Sequence, residues 1–572
     1  MLINRGIHLN DIPHYLNTSD KDILPAAAIE NIAEGTKILI KHISQGDKVL
    51  IQVDSDADGY TSAATLINYL YRLFPGFVKS NIQYRIHTGK QHGVILDSVP
   101  EDVKLVIIPD AGSNQFEEHK ELFERGVDVL VIDHHESEGI SQYACVINNQ
   151  LCDYPTKSLS GVGMVYKFCS YIDELLGKDY ANDYLDLVAL GLVADMMDMR
   201  DFETKHLVEK GLRELKNPYF KAMVTKNSYS IGSELTPFGV AFYVAPYVNA
   251  TIRVGTQDEK LILFESMLDY RGYELIPSTK RGCKGQTETR VEQACRNCTN
   301  IKNRQTKARD ASLEIIERII EENNLLENKI LAIKLDADYA VDKNLTGLVA
   351  NQIMSKYQRP VLILNERTIQ EEDPFGNPYE IKTWEGSGRG YDKSSFDDLR
   401  KFLLESGLVR YAEGHSNALG VGIEDRFFSE FINYSNNALK DYDFSPFYRV
   451  DFIYSGSEVK PENILDLANF KHLWGQGVEE PFIAIENVKI TKDNITLMSR
   501  DRNPTLKITL PNGMSVIKFR SSESEYEELY SDLGCVTLNI VGKCERNEWN
   551  GNITPQIICE NYEVVGRTDY YF

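Results

Sequence analysis

The stretch Val49–Tyr60, Val-Leu-Ile-Gln-Val-Asp-Ser-Asp-Ala-Asp-Gly-Tyr, decides the fold of this chain. Its first five residues are mostly apolar and predict a buried β-strand. The carboxylates of Asp54, Asp56 and Asp58 follow at once, and Gly59 allows a tight turn into a helix. Because alternate positions of an extended segment point to one side, we expect the three carboxylates to face the same way. An acidic cluster at a strand end predicts a bound cation.

Two further polar clusters follow apolar runs in the same way. Asp110 ends the run Leu105–Ile108, and Asp133-His134-His135 ends the run Val127–Ile132. The carboxyl ends of neighbouring parallel strands meet in one crevice, so distant segments can share one metal centre. A lone aspartate at a strand end is also a common turn former. Three equivalent clusters together favour a metal-dependent phosphoester enzyme.

The order Asp-x-Asp-x-Asp-Gly also opens a calcium-binding EF-hand loop. That loop needs a glutamate six positions after its glycine, and Thr65 occupies this position. An EF-hand is also preceded by a helix, whereas the residues before Asp54 have the pattern of a strand. We therefore favour the strand-end metal site.

At 572 residues the chain is too long for one hydrophobic core, which predicts several domains. No apolar run is long enough to cross a membrane, and the amino end lacks the pattern of a secretory signal. We therefore expect a cytoplasmic protein. The nine scattered cysteines are expected to be reduced thiols.

The charge of the chain is unevenly distributed. The net charge is -23, yet Lys280–Arg309 contains nine lysines and arginines against two glutamates. Such a basic segment on an acidic protein can hold a nucleic-acid strand. It can equally be a solvated helical face, and the charge pattern leaves both interpretations open.

The order of predicted elements indicates an α/β fold. Strands and helices alternate over residues 1–203, which predicts a parallel sheet; among them are strands at Lys48–Val53 and Ile82–Ile86 and a helix at Gly161–Leu176. A helical segment, 204–234, is expected to link this lobe to a second α/β lobe, 235–443, with a basic insertion near 273–309. In the second lobe we expect a long helix near Ala308–Asn323 and glycine-rich loops at Gly386–Gly390 and Gly414–Gly422. Short alternating segments over 444–572 predict a small antiparallel barrel.

At this point the motifs carry a family resemblance. Four segments resemble, in order, the motifs of the DHH phosphoesterase superfamily: Val53–Gly59, Asp110–Gly112, Asp133–His135 and Gly191–Asp195. Further segments resemble the DHHA1 domain and the oligonucleotide-binding (OB) barrel of RecJ exonucleases: Gly386–Gly390, Gly414-His415 and Leu473–Gly477. The resemblance spans most of the chain. It departs from the family at Glu413 and Tyr391, and residues 273–293 resemble an insertion.

The resemblance implies a single-stranded-DNA-specific 5'-to-3' exonuclease that releases 5'-mononucleotides, in DNA repair, recombination or phage DNA metabolism. It implies two divalent cations, with manganese as first choice and magnesium as second. Their ligands would be Asp54, Asp56, Asp58, Asp110, His134 and Asp195. The catalytic residues would be Asp110, His134 and His135, with Asp110 bridging the cations and His135 facing the scissile phosphate. Phosphate contacts are expected from Arg253, Ser387, Arg389 and His415.

Two alternatives belong to other functional classes. A phosphodiesterase for short oligoribonucleotides or cyclic dinucleotides would use the same centre, but it would not need the barrel or the basic segment. A non-catalytic replication-complex scaffold is disfavoured because every expected ligand position is filled. Beyond single-stranded DNA, we expect a single-stranded-DNA-binding protein or a helicase as candidate partner, no membrane, and a monomer.

Two assignments depend on the choice among similar residues. Asp195 is preferred over two nearby aspartates because it directly ends the apolar run 187–194. Cys295-x-x-Cys298 together with Cys283 hints at a zinc site, although a fourth ligand is missing.

Overall fold

The computed structural model describes residues 1–89, 91–373, 375–500, 503–532, 534–549 and 551–569. The chain divides into two compact units, Met1–Thr299 together with Val450–Phe572, and Asn300–Arg449. The chain therefore leaves the first unit once and returns to it. The four segments predicted from the sequence are a finer division, and their boundaries stay a prediction. Residues 570–572 of the last segment lie outside the described residues.

The first unit is built on a parallel sheet. Its strands are β1 (Lys48–Val53), β2 (Ile82–Ile86), β3 (Val103–Pro109), β4 (Asp128–Asp133) and β5 (Cys145–Asn148). They lie in the order β2-β1-β3-β4-β5, and every pairing is parallel. Helices cover both faces, which explains why the inner strands β1, β3 and β4 are mostly apolar runs, whereas the edge strand β2 alternates with polar residues. The predicted α/β architecture is confirmed, and all five carboxyl ends lie along one edge.

Thirteen α-helices end before the second unit begins, within residues 1–89 and 91–299. They are α1 (Ile12–Tyr15), α2 (Ile32–Gln45), α3 (Ala57–Leu73), α4 (Pro75–Asn81), α5 (Phe116–Glu124), α6 (Gly161–Leu176), α7 (Leu185–Ala194), α8 (Phe202–Arg213), α9 (Pro218–Lys226), α10 (Ser228–Ile231), α11 (Pro237–Tyr243), α12 (Ala245–Val254) and α13 (Gln257–Ser266). The predicted linking segment, 204–234, contains α9, α10 and most of α8, and it buries Leu207 and Phe220 in the core of the first unit. A two-stranded hairpin follows, β6 (Leu275–Pro277) with β7 (Thr287–Thr289).

The helix α14 (Arg290–Glu322) contains the boundary between the units. It begins well before the start predicted at Ala308, because Val291, Cys295 and Cys298 form a buried face at helical spacing. No helix in the described ranges has the length and apolar character needed to cross a bilayer.

The second unit is an α/β unit around a mixed sheet. Its strands are β8 (Leu331–Leu335), β9 (Val361–Glu372), β10 (Pro378–Arg389), β11 (Tyr411–His415) and β12 (Ala418–Glu424), and its later helices are α15 (Thr346–Tyr357), α16 (Leu399–Glu405) and α17 (Asp425–Ala438). The order is β11-β12-β10-β9-β8, with only the β8–β9 pairing parallel among these strands. The predicted glycine-rich loops 386–390 and 414–422 mostly form strands, which corrects the prediction. Glycine is needed for close approach, since a Cβ on Gly386 would lie 1.9 Å from the Ile363 carbonyl oxygen.

The carboxyl-terminal part of the first unit is a seven-stranded sheet with two helices. Its elements are β13 (Phe452–Ser455), α18 (Pro461–Ala468), β14 (Ile483–Ile490), β15 (Ile495–Met498), β16 (Thr505–Thr509), β17 (Ser515–Phe519), α19 (Glu523–Leu529), β18 (Gly534–Trp549) and β19 (Asn552–Asp569). Most pairings are antiparallel, as predicted, but β13–β14 and β17–β19 are parallel. Each of these two pairs is joined by a crossover that contains a helix, and such a connection permits parallel pairing.

This part of the chain is fastened to the amino terminus. The guanidinium group of Arg5 donates to both carboxylate oxygens of Asp451, each at 2.9 Å, and Asn4 donates to the same carboxylate at 2.8 Å. The Arg5 guanidinium also lies 5.6 Å from the ring centre of Trp474. Residues 1–5 and 450–480 therefore belong to one packed region.

Candidate metal centre

The carboxyl edge of the parallel sheet gathers buried acidic side chains. Asp54 follows β1, Asp110 follows β3, and Asp133 ends β4, and all three are buried. Asp110 adopts a left-handed backbone conformation, with φ of 67°. This conformation costs about 1 kcal/mol or more for a residue with a side chain. The amide of Asp110 is held by the Ile132 carbonyl at 2.8 Å, so the neighbouring strand fixes the turn that carries this carboxylate.

The segment after β1 is not extended throughout, which corrects the predicted alternation. Asp56 caps α3, and its carboxylate accepts a hydrogen bond from the Gly59 amide at 2.9 Å. The cap starts the helix at Ala57 because it satisfies one of the free amides of the first turn. Asp58 therefore lies inside the helix, in its first turn.

The six predicted metal ligands come together in neighbouring groups. Three sets of side chains have ligand atoms that lie within 4.8 Å of one another: Asp54, Asp56 and Asp110; Asp58, His134 and Asp195; and Asp110, Asp133, His134 and His135. Asp110 and His134 each belong to two sets. The Nε2 atom of His134 lies 3.3 Å from Asp110 Oδ1 and 3.5 Å from Asp195 Oδ2. The arrangement is therefore one continuous cluster with room for more than one cation.

The amino terminus of α6 holds Asp58 in place. The Ser160 hydroxyl donates to Asp58 Oδ1 at 2.9 Å, and the Gly161 amide donates to Asp58 Oδ2 at 2.6 Å. A Cβ on Gly161 would lie 2.3 Å from Asp110 Oδ1, and one on Gly191 would lie 2.4 Å from Asp58 Oδ1. Both glycines therefore make room for ligand carboxylates. Sequence reasoning missed Ser160, and a lone serine before a glycine carries no recognisable signal.

The loop after β2 holds Asp54. His92 Nδ1 lies 2.7 Å from Asp54 Oδ2, and the Gly93 amide donates to Asp54 Oδ1 at 3.0 Å. His87 Nε2 lies 3.7 Å from the same carboxylate. None of these supporting residues was predicted, because no motif connects the loop to Asp54. The one available signal is that these residues closely follow the end of β2 in the sequence.

Crowding of carboxylates raises their pKa values. Burial, together with the neighbouring Asp58, raises the pKa of Asp56 and places that of Asp110 well above its usual range. Burial, Asp58 and Asp56 raise the pKa of Asp195 to about 8. Burial lowers the pKa of His134, so this imidazole is neutral. The fold alone therefore does not compensate full ionisation of the clustered carboxyls.

The donor set fits divalent cations. Within the described ranges, Asp110 Oδ1 and His134 Nε2 are fully buried and make no hydrogen bond. An unpartnered buried polar atom costs about 1–3 kcal/mol, and a cation between these two atoms would satisfy both. Carboxylate oxygens and a neutral imidazole, without thiolates, suit manganese or magnesium.

Asp133 has a supporting role that sequence reasoning did not assign. Its carboxylate accepts hydrogen bonds from the amides of His134 at 2.7 Å and Ser113 at 3.0 Å, and it lies 2.8 Å from His135 Nδ1. Burial opposes its ionisation, but the hydrogen bonds from His135 and Ser113 hold its pKa below the usual range. The same bond raises the pKa of His135 to about 9. His135, with 56% of its side chain exposed, is therefore a cation at neutral pH beside the cluster.

The structure separates Asp195 from the two aspartates that resemble it in sequence. Asp195 ends α7 and joins the cluster. Asp198 instead pairs with Arg200, and Asp201 caps α8 by accepting from the amides of its first turn. The apolar run that ends at Asp195 was therefore the useful signal.

The segment after Asp195 packs against the loop 473–478. The Met199 amide donates to the Gln476 carbonyl at 2.8 Å. Gly477 has φ of +77°, and a Cβ there would lie 2.2 Å from Asp198 Oδ1. The carboxyl-terminal part of the chain therefore supports the loop that carries a candidate metal ligand.

Of the four predicted phosphate-binding residues, Arg253 lies in the first unit. It is exposed on α12, one turn after Asn249. The Asn249 side chain accepts a hydrogen bond from the Ala57 amide at 3.2 Å. Arg253 is thus carried by a helix that contacts the start of α3.

The other three residues lie in the second unit. The Ser387 hydroxyl lies 2.8 Å from that of Thr346, near the start of α15. The Arg389 guanidinium occupies the space beside Gly347, where a Cβ would lie 2.5 Å away. Arg389 pairs with Ala418, and Ala418 pairs with the exposed His415, so these residues form one row across the sheet. Hydroxyls, a guanidinium group and an imidazole thus lie close together at one end of these strands.

The three cysteines that the sequence suggested as zinc ligands do not form a recognisable metal site in the described residues. Cys295 and Cys298 are buried, and the Tyr219 hydroxyl lies 3.4 Å from Cys298 Sγ. Burial raises the pKa of Cys295 to about 12, which disfavours the thiolate that a metal needs. No potential metal-binding group among the described residues contains a cysteine.

Comparisons with known proteins cover nearly the whole chain. The model of the DHH family, N-terminal domain, matches residues 48–192, and the RecJ OB domain model matches residues 450–561. A Bacillus subtilis (strain 168) protein, provisionally named SPbeta prophage-derived single-strand DNA-specific exonuclease YorK, is 38% identical over 571 residues, covering 99% of this chain and 95% of that protein. The single-stranded-DNA-specific exonuclease RecJ of the same organism is 25% identical, covering 99% of this chain and 67% of that protein.

Solved structures show the same fold. The crystal structure of RecJ in complex with Mn²⁺ from Thermus thermophilus superposes with a TM-score of 0.68 at 19% identity, covering 95% of this chain and 72% of that chain. A second structure from that organism, titled as the complex with Mg²⁺, gives a TM-score of 0.63 at 17% identity, covering 98% and 73% of the two chains. The fold of this chain therefore has a solved counterpart, and the cluster at the sheet edge lies almost wholly within the segment that the first family model matches.

Proposed function

The chain belongs to the RecJ family of DHH phosphoesterases, and from this premise we propose that it is a metal-dependent exonuclease specific for single-stranded DNA. The observation that carries the proposal is the continuous cluster of carboxylates and one neutral imidazole at the carboxyl edge of the parallel sheet. The names of the relatives supply the substrate. We further propose 5'-to-3' polarity with release of 5'-mononucleotides.

We propose that two divalent cations bind at this cluster. Asp54, Asp56 and Asp110 would hold one, and Asp58, His134 and Asp195 would hold the other. When bound, such a pair of cations neutralises phosphate oxygens and activates water for in-line attack. Asp110 is the candidate for contact with both, because it belongs to the first group and its Oδ1 atom lies 3.3 Å from His134 Nε2 in the second. The titles of solved relatives name Mn²⁺ and Mg²⁺, and manganese is our first choice because of the imidazole.

His135 would bind the scissile phosphate. Its Nδ1 atom is engaged by Asp133, which leaves Nε2 as the donor on a half-exposed imidazolium. A charged donor forms a stronger hydrogen bond to a phosphate oxygen than a neutral one. Asp133 therefore acts through His135, by fixing the ring and keeping its proton.

The remaining phosphate contacts are proposed for Arg253 in the first unit and for Ser387, Arg389 and His415 in the second. The RecJ OB domain at residues 450–561 would bind the strand beyond the cut. The prophage origin in the name of the 38% identical relative favours phage DNA metabolism as the biological role, over repair or recombination. A monomer in the cytoplasm, working with a single-stranded-DNA-binding protein or a helicase, completes the proposal.

The proposal is tested by replacing Asp110 and comparing labelled substrates. Single-stranded DNA labelled at the 5' or the 3' end, RNA and a cyclic dinucleotide are each incubated with Mn²⁺ or with chelator. With Mn²⁺ and without chelator, we expect the wild-type protein to release mononucleotides from the 5' end of DNA. We expect none from the Asp110→Ala variant. The matched control is Asp128→Asn, at the amino end of β4, where the carboxylate pairs with Lys41 and not with the cluster.

Each alternative gives a different product pattern. Preferential cleavage of the cyclic dinucleotide or of short RNA would replace the proposal with a small-substrate phosphodiesterase. Full activity of a folded Asp110→Ala protein at normal Mn²⁺ would contradict the assigned centre. Inactivity of the wild-type protein on all substrates would favour the scaffold.

A further inference from the structure

Much of the charge of the basic segment is compensated inside the protein. Arg290 pairs with Glu265 at 2.7 Å, and Arg296 pairs with Glu288. Arg309 pairs with the adjacent Asp310. Arg290 and Arg296 stabilise the start of α14, and all three arginines are poor candidates for contacts with a ligand.

The tip of the β6–β7 hairpin is different. Lys280, Arg281 and Lys284 are exposed, and their side chains make no ion pair within the described ranges. They lie in a loop whose turns use Gly282 and Gly285, with φ of +83° and +84°. Three uncompensated cations within five residues are unusual on a chain with a net charge of -23. The tip is therefore a local positive patch.

The hairpin is fixed to the body of the first unit. The Ser278 amide donates to the Gln286 carbonyl at 2.9 Å, which closes the loop. The Gln293 side chain on α14 donates to the Thr279 hydroxyl at 3.0 Å. The patch is thus presented on an ordered arm, and less entropy is lost on binding than from a flexible tail.

The same arm exposes apolar surface. Tyr273 is 69% exposed and Leu275 is 68% exposed, just before the basic tip. Aromatic side chains beside cations are the usual means of binding single-stranded nucleic acid, with bases stacked on the rings and phosphates on the cations. The combination favours a nucleic acid over an acidic protein.

A cavity of about 540 Å³ lies where the hairpin meets α13 and α14. Ile276 and Pro277 contribute its apolar lining, and Gln293 and Asn297 contribute carboxamides. The Gln293 Oε1 atom is fully buried and has no hydrogen-bond partner among the described residues. The cavity is large enough for one base, and the two carboxamides of its lining offer hydrogen-bond partners to a base edge.

The helix α13 connects this region to the metal centre. Gln257 and Lys260 on α13 donate to the carbonyls of Ile86 at 3.2 Å and Thr88 at 3.1 Å. These carbonyls begin the loop that holds Asp54 through His92. The hairpin and the candidate metal centre are therefore joined by consecutive packed elements of the first unit.

We propose that the β6–β7 hairpin and the cavity at its base form a second binding site for single-stranded DNA, distinct from the metal centre. Lys280, Arg281 and Lys284 contact phosphates, Tyr273 stacks on a base, and the cavity accepts another base against Gln293. The substrate class rests on the proposed function. The site grips a long strand while its end is at the metal centre.

The test measures binding without hydrolysis. Anisotropy of labelled oligothymidylates of about 5 and about 40 nucleotides is followed in chelator, at several salt concentrations. The variant replaces Lys280, Arg281 and Lys284 by glutamine. The matched control replaces Lys21, Lys104 and Lys120, three exposed lysines of the same unit, and removes the same charge.

Three lost phosphate contacts should reduce the salt slope of binding to the long strand by about 2, at about 0.7 per contact. At about 0.1 M salt this corresponds to roughly 100-fold weaker binding. The short strand and the control variant should change less than about threefold. In Mn²⁺, the hairpin variant should raise KM for the long strand and leave kcat unchanged.

Equal binding of the long strand by the hairpin variant and the control would overturn the proposal. Retained DNA binding with loss of affinity for a polyglutamate peptide would also overturn it and would assign the arm to an acidic protein. If the wild-type protein binds the long strand through the hairpin yet hydrolyses no DNA, this site stands and the proposed function fails. The two proposals are thus separated.

Discussion

Replacing Asp195 by asparagine should make the metal-free protein less sensitive to pH. In the wild type, burial, Asp58 and Asp56 raise the pKa of Asp195 to about 8, from an unfolded value near 4. A carboxyl group whose pKa is higher in the folded state than in the unfolded state destabilises the fold at every pH at which that group is ionised in the unfolded chain. Stability should therefore fall as pH rises through the window from about 4 to about 8.

The size of this effect follows from the linkage relation. Each pH unit within the window is worth at most about 1.4 kcal/mol, so about 3 kcal/mol is the ceiling between about pH 6 and 8. The side chain is 31% exposed, and neighbouring carboxyls share the repulsion, so we expect ~1–2 kcal/mol. His135, with its pKa raised to about 9, adds a loss of the same sign between about 6.5 and 9. This contribution largely cancels when the variant is compared with the wild type.

The assay is hydrogen exchange of the amides in β3 and β4, corrected for intrinsic rates at each pH. These strands carry two of the clustered acids, and their exchange reports unfolding of the first unit. In chelator, the variant should lose less stability than the wild type between about pH 6 and 8. Saturating Mn²⁺ should stabilise the wild type by about 2.7 kcal/mol at a hundredfold excess over Kd, and the variant by less. Parallel pH profiles of the two proteins, with equal Mn²⁺ responses, would refute the reasoning.

Two other substitutions test the support of the centre, and a third tests a buried ion pair of the first unit. Gly191→Ala places a Cβ 2.4 Å from the Asp58 carboxylate and should weaken Mn²⁺ binding at least tenfold. The control Gly163→Ala, with its nearest contact at 3.1 Å, should not weaken it, and equal Mn²⁺ titrations of the two variants would disprove the crowding. Gly477→Ala should lower kcat at unchanged KM, because it displaces the loop that follows Asp195. Gly513→Ala, also at positive φ but facing open space, is the control, and identical kcat values of the two variants would argue against this support. Glu203→Gln leaves the ammonium group of Lys167, which is 1% exposed, without its charged partner at 2.8 Å. The free energy of unfolding in urea should fall by about 3–5 kcal/mol, and a fall below ~1 kcal/mol would contradict the buried ion pair.

Much of the parallel sheet could be predicted because its inner strands β1, β3 and β4 are mostly apolar runs. The predicted limits of Lys48–Val53, Ile82–Ile86 and Gly161–Leu176 agree with the observed elements. The candidate ligands followed from the same runs, since each run ends at an acid. A fully buried strand has little freedom in where it stops, so its end is marked in the sequence.

What could not be predicted depends on contacts between distant residues. Asp56 was expected to continue a strand, but its carboxylate caps a helix, and the choice depends on how the following turn packs. Ser160 supports Asp58 across 102 positions of sequence, and His92 supports Asp54 from a loop. Gly386 was expected in a loop because glycine disfavours strands, yet a neighbouring strand needs its missing side chain. Local preferences cannot encode these partners.

The return of the chain to its first unit sets an order for assembly during translation. The loop after Asp195 is synthesised early, but its hydrogen-bond partner Gln476 emerges only after the whole of the second unit. Arg5 likewise cannot form its ion pair until Asp451 has been synthesised. Until Gln476 has been synthesised, a ribosome-bound chain therefore carries the acidic residues of the centre without the packing that holds their last loop.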